Sequence, residues 1–351
     1  MSALRTVICA AAFALGWLAL ATLGGALLPP PQLPVLSEKR AHFLAHADEY
    51  DAVFIGSSRV YRGIVPQVFD AELRARGHAI HSFNFAMEAV WPPESLYRVR
   101  EFLRLRSRVR WVFIELLPVN PRITPENART LRSIYWHDWR HTMLAGRAIT
   151  NSRGFTSGEK CGWFALHAEL FVRRLSQVSR AAAWIEPRLQ PRPDMEKTAR
   201  EEFAFDTPWL DAEGFVPEPA TPMPPEVAAT FREQVARYAQ GLAPVAVPAY
   251  LRDELRDLAA TVRAAGAVPI FFITPSITRA ENLTDLRAQG IDAELISFKD
   301  PARFPALYDP ALHFDGPHLN ERGARELSRL LAEEFAARLA PAQGSSGGSA
   351  R

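Results

Sequence analysis

The chain has 351 residues and a formal net charge of +2, with 48% hydrophobic and 23% charged residues, the make-up of an ordinary globular protein rather than a disordered one. No dense Lys/Arg cluster stands out, so nucleic-acid binding has no electrostatic footprint. Of the two cysteines, Cys9 falls in the apolar N-terminal run and Cys161 is the only thiol beyond it, which excludes an internal disulfide framework; no CxxC or Cys/His metal spacing occurs.

Residues 6–28 carry no charge and are rich in Ala and Leu. At a rise of about 1.5 Å per residue such a helix is long enough to cross a hydrocarbon core of roughly 30 Å. Pro29, Pro30 and Pro31 stop it, because proline donates no backbone N–H and clashes with the preceding turn. A secretory signal peptide has a shorter apolar region, so an uncleaved anchor is favoured over a cleaved leader. Arg5 on the short side points to a cytoplasmic end at residues 1–5 and an exported remainder. The expected organisation is a single-pass anchor in the cell (inner) membrane at 6–28, a juxtamembrane segment at 29–50, a domain at 51–340 facing the periplasm or outside, and a flexible Gly/Ser tail at 341–351.

A polar helix is expected over residues 37–50. Asp51-Ala52-Val53-Phe54-Ile55 closes on Gly56-Ser57-Ser58, a short apolar run bounded by a turn, and reads as a buried strand. A helix over 66–76, a strand over 79–85, an amphipathic helix over 92–106 and a strand over 111–117 follow. Near the other end come a helix over 251–265 stopped by Gly266, strands over 268–273 and 293–298, and a closing helix over 321–339. Strands alternating with helices predict an α/β fold, a doubly wound parallel sheet. Residues 132–250 break that rhythm and are expected to be a mainly helical and irregular insertion.

Two blocks carry chemistry-bearing residues. Gly56-Ser57-Ser58 follows a buried strand, where a tight turn can project a serine hydroxyl and aim backbone N–H groups at a developing oxyanion. Taken alone, it reads first as a common loop. Phe314-Asp315-Gly316-Pro317-His318-Leu319-Asn320 precedes the closing helix. A serine hydroxyl needs a base to take its proton and a carboxylate to hold that base in the right tautomer, and Asp and His three residues apart can supply both. Asn320 before Glu321 also fits a plain helix cap.

Together the two blocks resemble those of the SGNH (GDSL-like) hydrolase superfamily. Gly56-Ser57-Ser58 matches its Gly-Asp-Ser block with serine in the middle position, and Asp315-Gly316-Pro317-His318 matches its Asp-x-x-His block. The resemblance implies a flavodoxin-like doubly wound sheet and a triad of Ser58, Asp315 and His318. The inner blocks depart from the pattern. Asn84-Phe85-Ala86-Met87-Glu88-Ala89 puts Ala89 where the family has a glycine whose N–H serves the oxyanion, and Asn120 lies one position from the family's third-block asparagine. Ser58, Ala89 and Asn120 are therefore the expected oxyanion donors. With the anchor, the layout is similar to membrane-tethered members that include alginate acetylation proteins and the D-alanyl transfer (DltD-like) group.

The activity so implied is ester hydrolysis or acyl transfer through a Ser58 acyl-enzyme, on O-acyl groups of a cell-surface polysaccharide. No metal or other cofactor is expected. The expected partners are the lipid bilayer at 6–28, an acylated sugar or polysaccharide and a membrane acyl-donor protein. A non-catalytic subunit of a polysaccharide-modifying complex is the alternative. His42 and His46, and His137 and His141, have metal-ligand spacing but read as solvated or core histidines. Trp136, Trp139 and Trp163 read as core before sugar-binding surface. His313 is a rival base, and Arg59 and Arg62 read as either polyanion ligands or surface charges.

Overall fold

The computed structural model describes residues 3–33, 35–105, 107–189, 213–281, 283 and 285–339. The expected tail at 341–351 lies outside the described residues, as does part of the proline-dense stretch between 187 and 225. The described chain divides into two compact units. The larger holds residues 38–91, 98–118 and 213–339, and the smaller holds 3–37, 92–97 and 119–189.

The larger unit is built on a five-stranded, all-parallel sheet of order β2-β1-β3-β4-β5, formed by β1 (Ala52–Ile55), β2 (Ser82–Asn84), β3 (Trp111–Glu115), β4 (Val268–Ile273) and β5 (Glu294–Ser297). This is the 2-1-3-4-5 order of doubly wound sheets. The central strands β1 and β3 are buried at every position, which explains their unbroken apolar runs.

Helices cover both faces. On one, Phe54 of β1 and Phe113 of β3 meet Phe69 from α4 (Pro66–Ala75) and Phe335 from α12 (Glu321–Leu339), with ring centroids 4.7–5.5 Å apart for the Phe54–Phe113, Phe113–Phe335, Phe54–Phe69 and Phe69–Phe113 pairs. On the other, Phe83 of β2 meets Phe43 of α2 (Leu36–Ala45), and Phe43 in turn meets Phe102 at the end of α5 (Glu94–Phe102). Arg100 of α5 pairs with Glu254 of α11 (Ala249–Ala264) at 2.8 Å.

Only three residues of the expected strand 79–85 form β2, and the helix expected over 37–50 ends at Ala45, before a turn. The insertion expected over 132–250 is divided. Residues 213–250, with α10 (Pro225–Gln240), belong to the sheet unit: Phe215 is buried against Val65 and Ala324, and the Tyr238 hydroxyl donates to the Lys299 carbonyl at 2.9 Å.

The smaller unit contains α1 (Ala3–Leu27), α6 (Leu131–Trp136), α7 (Trp139–Asn151), α8 (Ser157–Ser176) and α9 (Val178–Leu189). Helix α1 is long and apolar enough to cross a membrane, with a mean hydropathy of 2.1 over its best window. Side-chain caps start α6, α7 and α8: Thr130, Asp138 and Thr156 each accept a backbone N–H, and Thr156 and Glu159 form a reciprocal capping box.

Asp70 of α4 ties that helix to β2 by accepting the Ser82 N–H at 3.0 Å and hydroxyl at 2.6 Å. Burial pushes its carboxyl up to about 6, against the pull of those hydrogen bonds. The folded chain therefore binds more protons than the unfolded one between about pH 4 and pH 6, and this group's contribution is full below that window and lost above it. Asp70→Asn is expected to remove up to about 2–3 kcal/mol of pH-dependent stability, so that wild-type unfolding midpoints fall relative to the variant's as pH rises from 4 to 7. Parallel curves for the two proteins would contradict the assignment.

Candidate functional site

All the strands of a parallel sheet end on one edge, and in this strand order the crevice opens where the connections diverge, between β1 and β3. The turn after β1 sits there. Gly56 has no room for a side chain: a Cβ would lie 2.5 Å from Val60 Cγ2 and 2.7 Å from Glu115 Oε2. Ser57 then caps α3 (Ser58–Tyr61), its hydroxyl accepting the Arg59 N–H at 3.2 Å. Ser58 occupies the first helical position, where the helix offers its N–H no acceptor.

The hydroxyl of Ser58 lies 2.8 Å from Nε2 of His318, 260 residues away in sequence. His318 Nδ1 is 2.9 Å from both carboxylate oxygens of Asp315, and its backbone N–H donates to Asp315 Oδ1 at 2.7 Å. Burial raises the Asp315 carboxyl, but hydrogen bonds from the His318 side chain and backbone outweigh it and leave the group below its ordinary value. An ionised Asp315 only accepts, so the imidazole proton sits on Nδ1 and Nε2 presents a lone pair to the serine hydroxyl. Asn320 performs the capping role as well: its Oδ1 accepts the Gly323 N–H at 3.1 Å at the start of α12. Capping and pairing thus coexist on one loop.

The loop after β2 is sewn to this turn. Asn84 is buried, donates Nδ2 to the carbonyls of Val60 and Ile64, both at 2.9 Å, and accepts the Ala86 N–H at 3.1 Å. Ala89, at the end of that loop, has φ of 54°, a left-handed conformation normally left to glycine. Ala89 holds this conformation although it carries a Cβ. Asn120 belongs to the smaller unit, where it is exposed and its carboxamide oxygen accepts the Arg122 N–H at 3.1 Å.

Several expectations are corrected or resolved. Arg59 is neither a free polyanion ligand nor a surface charge, whereas Arg62 is a partly exposed charge held in ion pairs. Arg59 is largely buried and pairs with Glu281 at 3.0 Å, and Arg62 pairs with Glu88 and Glu218. His313 is buried and donates Nε2–H to the Leu307 carbonyl at 2.9 Å, while His318 takes the serine hydroxyl. The i,i+4 histidines do not converge on metal sites: His42 contacts the Tyr50 hydroxyl, His137 pairs with His167 at 2.8 Å and His141 with Asp138 at 2.7 Å. Among the described residues no group of three or more His, Cys, Asp or Glu side chains is arranged to hold a metal ion. Trp136 is buried on His137, whereas Trp139 is 67% exposed and Trp163 lies beside Phe155.

Three supporting residues were not legible beforehand. Glu115, buried at the end of β3, accepts the Ser57 N–H at 2.7 Å and the Thr274 hydroxyl at 3.1 Å. Burial raises its carboxyl, against the pull of Arg59 and the Ser57 N–H. A charged residue closing an otherwise apolar strand was the available signal. Lys39 is fully buried and donates to the carbonyls of Asn84, Ala86 and Gly214 at 2.7–2.8 Å; burial holds its amine well below the usual range. Lys299, 3.6 Å from Glu281, is lowered by burial to about 8. Neither lysine carries a local sequence signature.

No protein-family model matches the chain, and no curated protein matches it.

The crowding at Gly56 makes a direct forecast. Gly56→Ala must displace the buried Glu115 or the Val60 side chain of α3, and overpacking of that kind costs about 1–3 kcal/mol. A lower denaturant midpoint is expected, and an unchanged midpoint would mean that the turn is not held against β3.

Proposed function

We propose that the chain is a membrane-anchored serine esterase or O-acyltransferase of SGNH type, with α1 spanning the membrane and the sheet domain outside the cytoplasm. The observation that carries this reading is the hydrogen-bonded series Ser58–His318–Asp315, assembled from opposite ends of the sequence at the carboxyl edge of a parallel sheet.

In this mechanism His318 Nε2 takes the Ser58 proton as Oγ bonds to an ester carbonyl carbon. Asp315 stabilises the imidazolium that results. The N–H groups of Ser58 and Ala89 receive the oxyanion, a role the left-handed backbone at Ala89 supports. The tetrahedral intermediate collapses, and His318 passes its proton to the departing alkoxide. Water or a sugar hydroxyl then attacks the acyl-enzyme and frees Ser58 by the reverse proton transfers. Hydrolysis and transfer share every step but the identity of the second nucleophile. The resemblance to membrane-tethered acetylation and D-alanylation proteins points to O-acyl groups on a cell-surface polysaccharide as the substrate class.

The test uses the full chain in detergent with a fluorophosphonate probe and a chromogenic acetyl ester. Ser58→Ala is expected to abolish labelling, and His318→Ala to reduce it by at least about a hundredfold. Ala89→Gly should retain both activities, because its part is played by the backbone. Asn120→Ala lowers turnover by about 10²–10³ if its side chain serves the oxyanion, and leaves it unchanged otherwise. Labelling that survives Ser58→Ala would overturn the triad, and a wild-type chain that neither labels nor turns over ester would favour a non-catalytic subunit.

A further inference from the structure

The C-terminal end of α1 is covered by other parts of its own unit. Along α1, Ala21 is buried and Trp17, Gly24 and Leu28 are partly covered, a spacing of three to four residues that marks one face. Helix α8 packs against α1, and Gln177, which joins α8 to α9, lies where a side chain at Gly24 would touch it. Arg180 of α9 donates to the carbonyls of Gly25 at 3.3 Å and Pro29 at 2.7 Å, and to that of Leu28. Those carbonyls have no intrahelical partner, and Arg180 supplies the donors they lack.

The α8–α9 corner is therefore fixed to the last turn of α1. Burial along α1 reaches back to Ala21, which at about 1.5 Å per residue lies about 9 Å from Leu27 along the helix. That corner exposes large apolar side chains: Val172 is 53% exposed, Val178 65%, Trp184 40% and Ile185 41%. Between residues 131 and 185 the chain carries 8 Lys or Arg against 3 Asp or Glu, an excess that suits phosphate headgroups. A tryptophan beside exposed aliphatic residues on one helix is a feature of interfacial helices, which bury an apolar face about 5–10 Å into the headgroup and acyl boundary. Continuity with the span selects lipid as the occupant.

From this we infer that the α8–α9 corner is a second membrane contact, a monotopic wedge seated in the leaflet where α1 emerges, with Val178, Trp184 and Ile185 among the acyl chains. The inference rests on α1 spanning the bilayer. It does not depend on the chemistry at Ser58.

The test uses the full chain in phospholipid vesicles, with a bimane fluorophore on single cysteines. Native Cys9, in α1, is labelled after Cys161→Ser. Val178→Cys, Trp184→Cys and Val268→Cys are labelled after both native cysteines become serine. Lipids brominated near the headgroup end of the acyl chains should quench positions 178 and 184 by about half or more, given burial of about 5–10 Å. Val268, 39% exposed on the sheet unit, should be unaffected. Quenching at Cys9 but not at 178 or 184, with those labels open to aqueous iodide, overturns the wedge and leaves the anchor standing. Shielding of 178 and 184 from both quenchers means that protein, not lipid, covers the corner, and also overturns it. Absence of quenching at Cys9 as well would defeat the spanning helix and the inference together.

Discussion

The buried carboxylate of Glu115 under the Ser57 N–H is the contact on which the site depends. It joins the ends of β1 and β3, the two strands whose connections diverge, and sets the height at which the Ser58 hydroxyl stands above the sheet. Gly56 is required because that carboxylate comes so close. A carboxylate removed from water costs several kcal/mol unless it is bonded. Ser57, Thr274 and the nearby Arg59 supply what Glu115 needs, so the turn and the strand end hold one another in place.

Much of the sheet was legible because its inner strands are buried on both faces. The runs ending at Ile55, Glu115 and Ile273 are apolar almost throughout, and a parallel sheet requires that. Edges were less legible. Strand β2 keeps three residues of the seven expected, because only Ser82, Phe83 and Asn84 meet a partner on β1. The return of residues 213–250 to the sheet unit carried no local signal: Phe215 reaches Val65 and Ala324, and Tyr238 reaches Lys299, across long stretches of chain. Periodicity reports which face of an element is buried, but not which distant element covers it.

The site divides in the same way. Ser58, Asp315 and His318 could be read as a group because the Gly-Ser-Ser turn and the Asp-x-x-His loop are each compact in sequence, and the structure brings the two together. Ala89 could be named as a position but not as a conformation; its left-handed backbone follows from the loop that Asn84 pins to Val60 and Ile64. Glu281, Lys299 and Lys39 could not be read, because nothing in their neighbourhoods distinguishes them from solvated charges.

Those hidden charges share a purpose. Where a parallel strand ends, its last carbonyls lose their ladder partners, and a buried carbonyl without a donor is costly. Lys39 gives three N–H donors to the carbonyls of Asn84, Ala86 and Gly214 around the end of β2. Lys299 does the same for Ser276 and Thr278 after β4. Burial penalises each ammonium, and the lowered pKa of both groups records that penalty. Lys299 recovers part of it from Glu281, which also holds Arg59 of α3. An ammonium bonding several carbonyls fixes loop positions that a single neutral donor would leave free to move. On the proposed mechanism, N–H groups that receive an oxyanion without rearranging would gain from such fixed loops. The cost of burying charge beneath the turn is thus consistent with a scaffold that trades stability for a rigid loop edge.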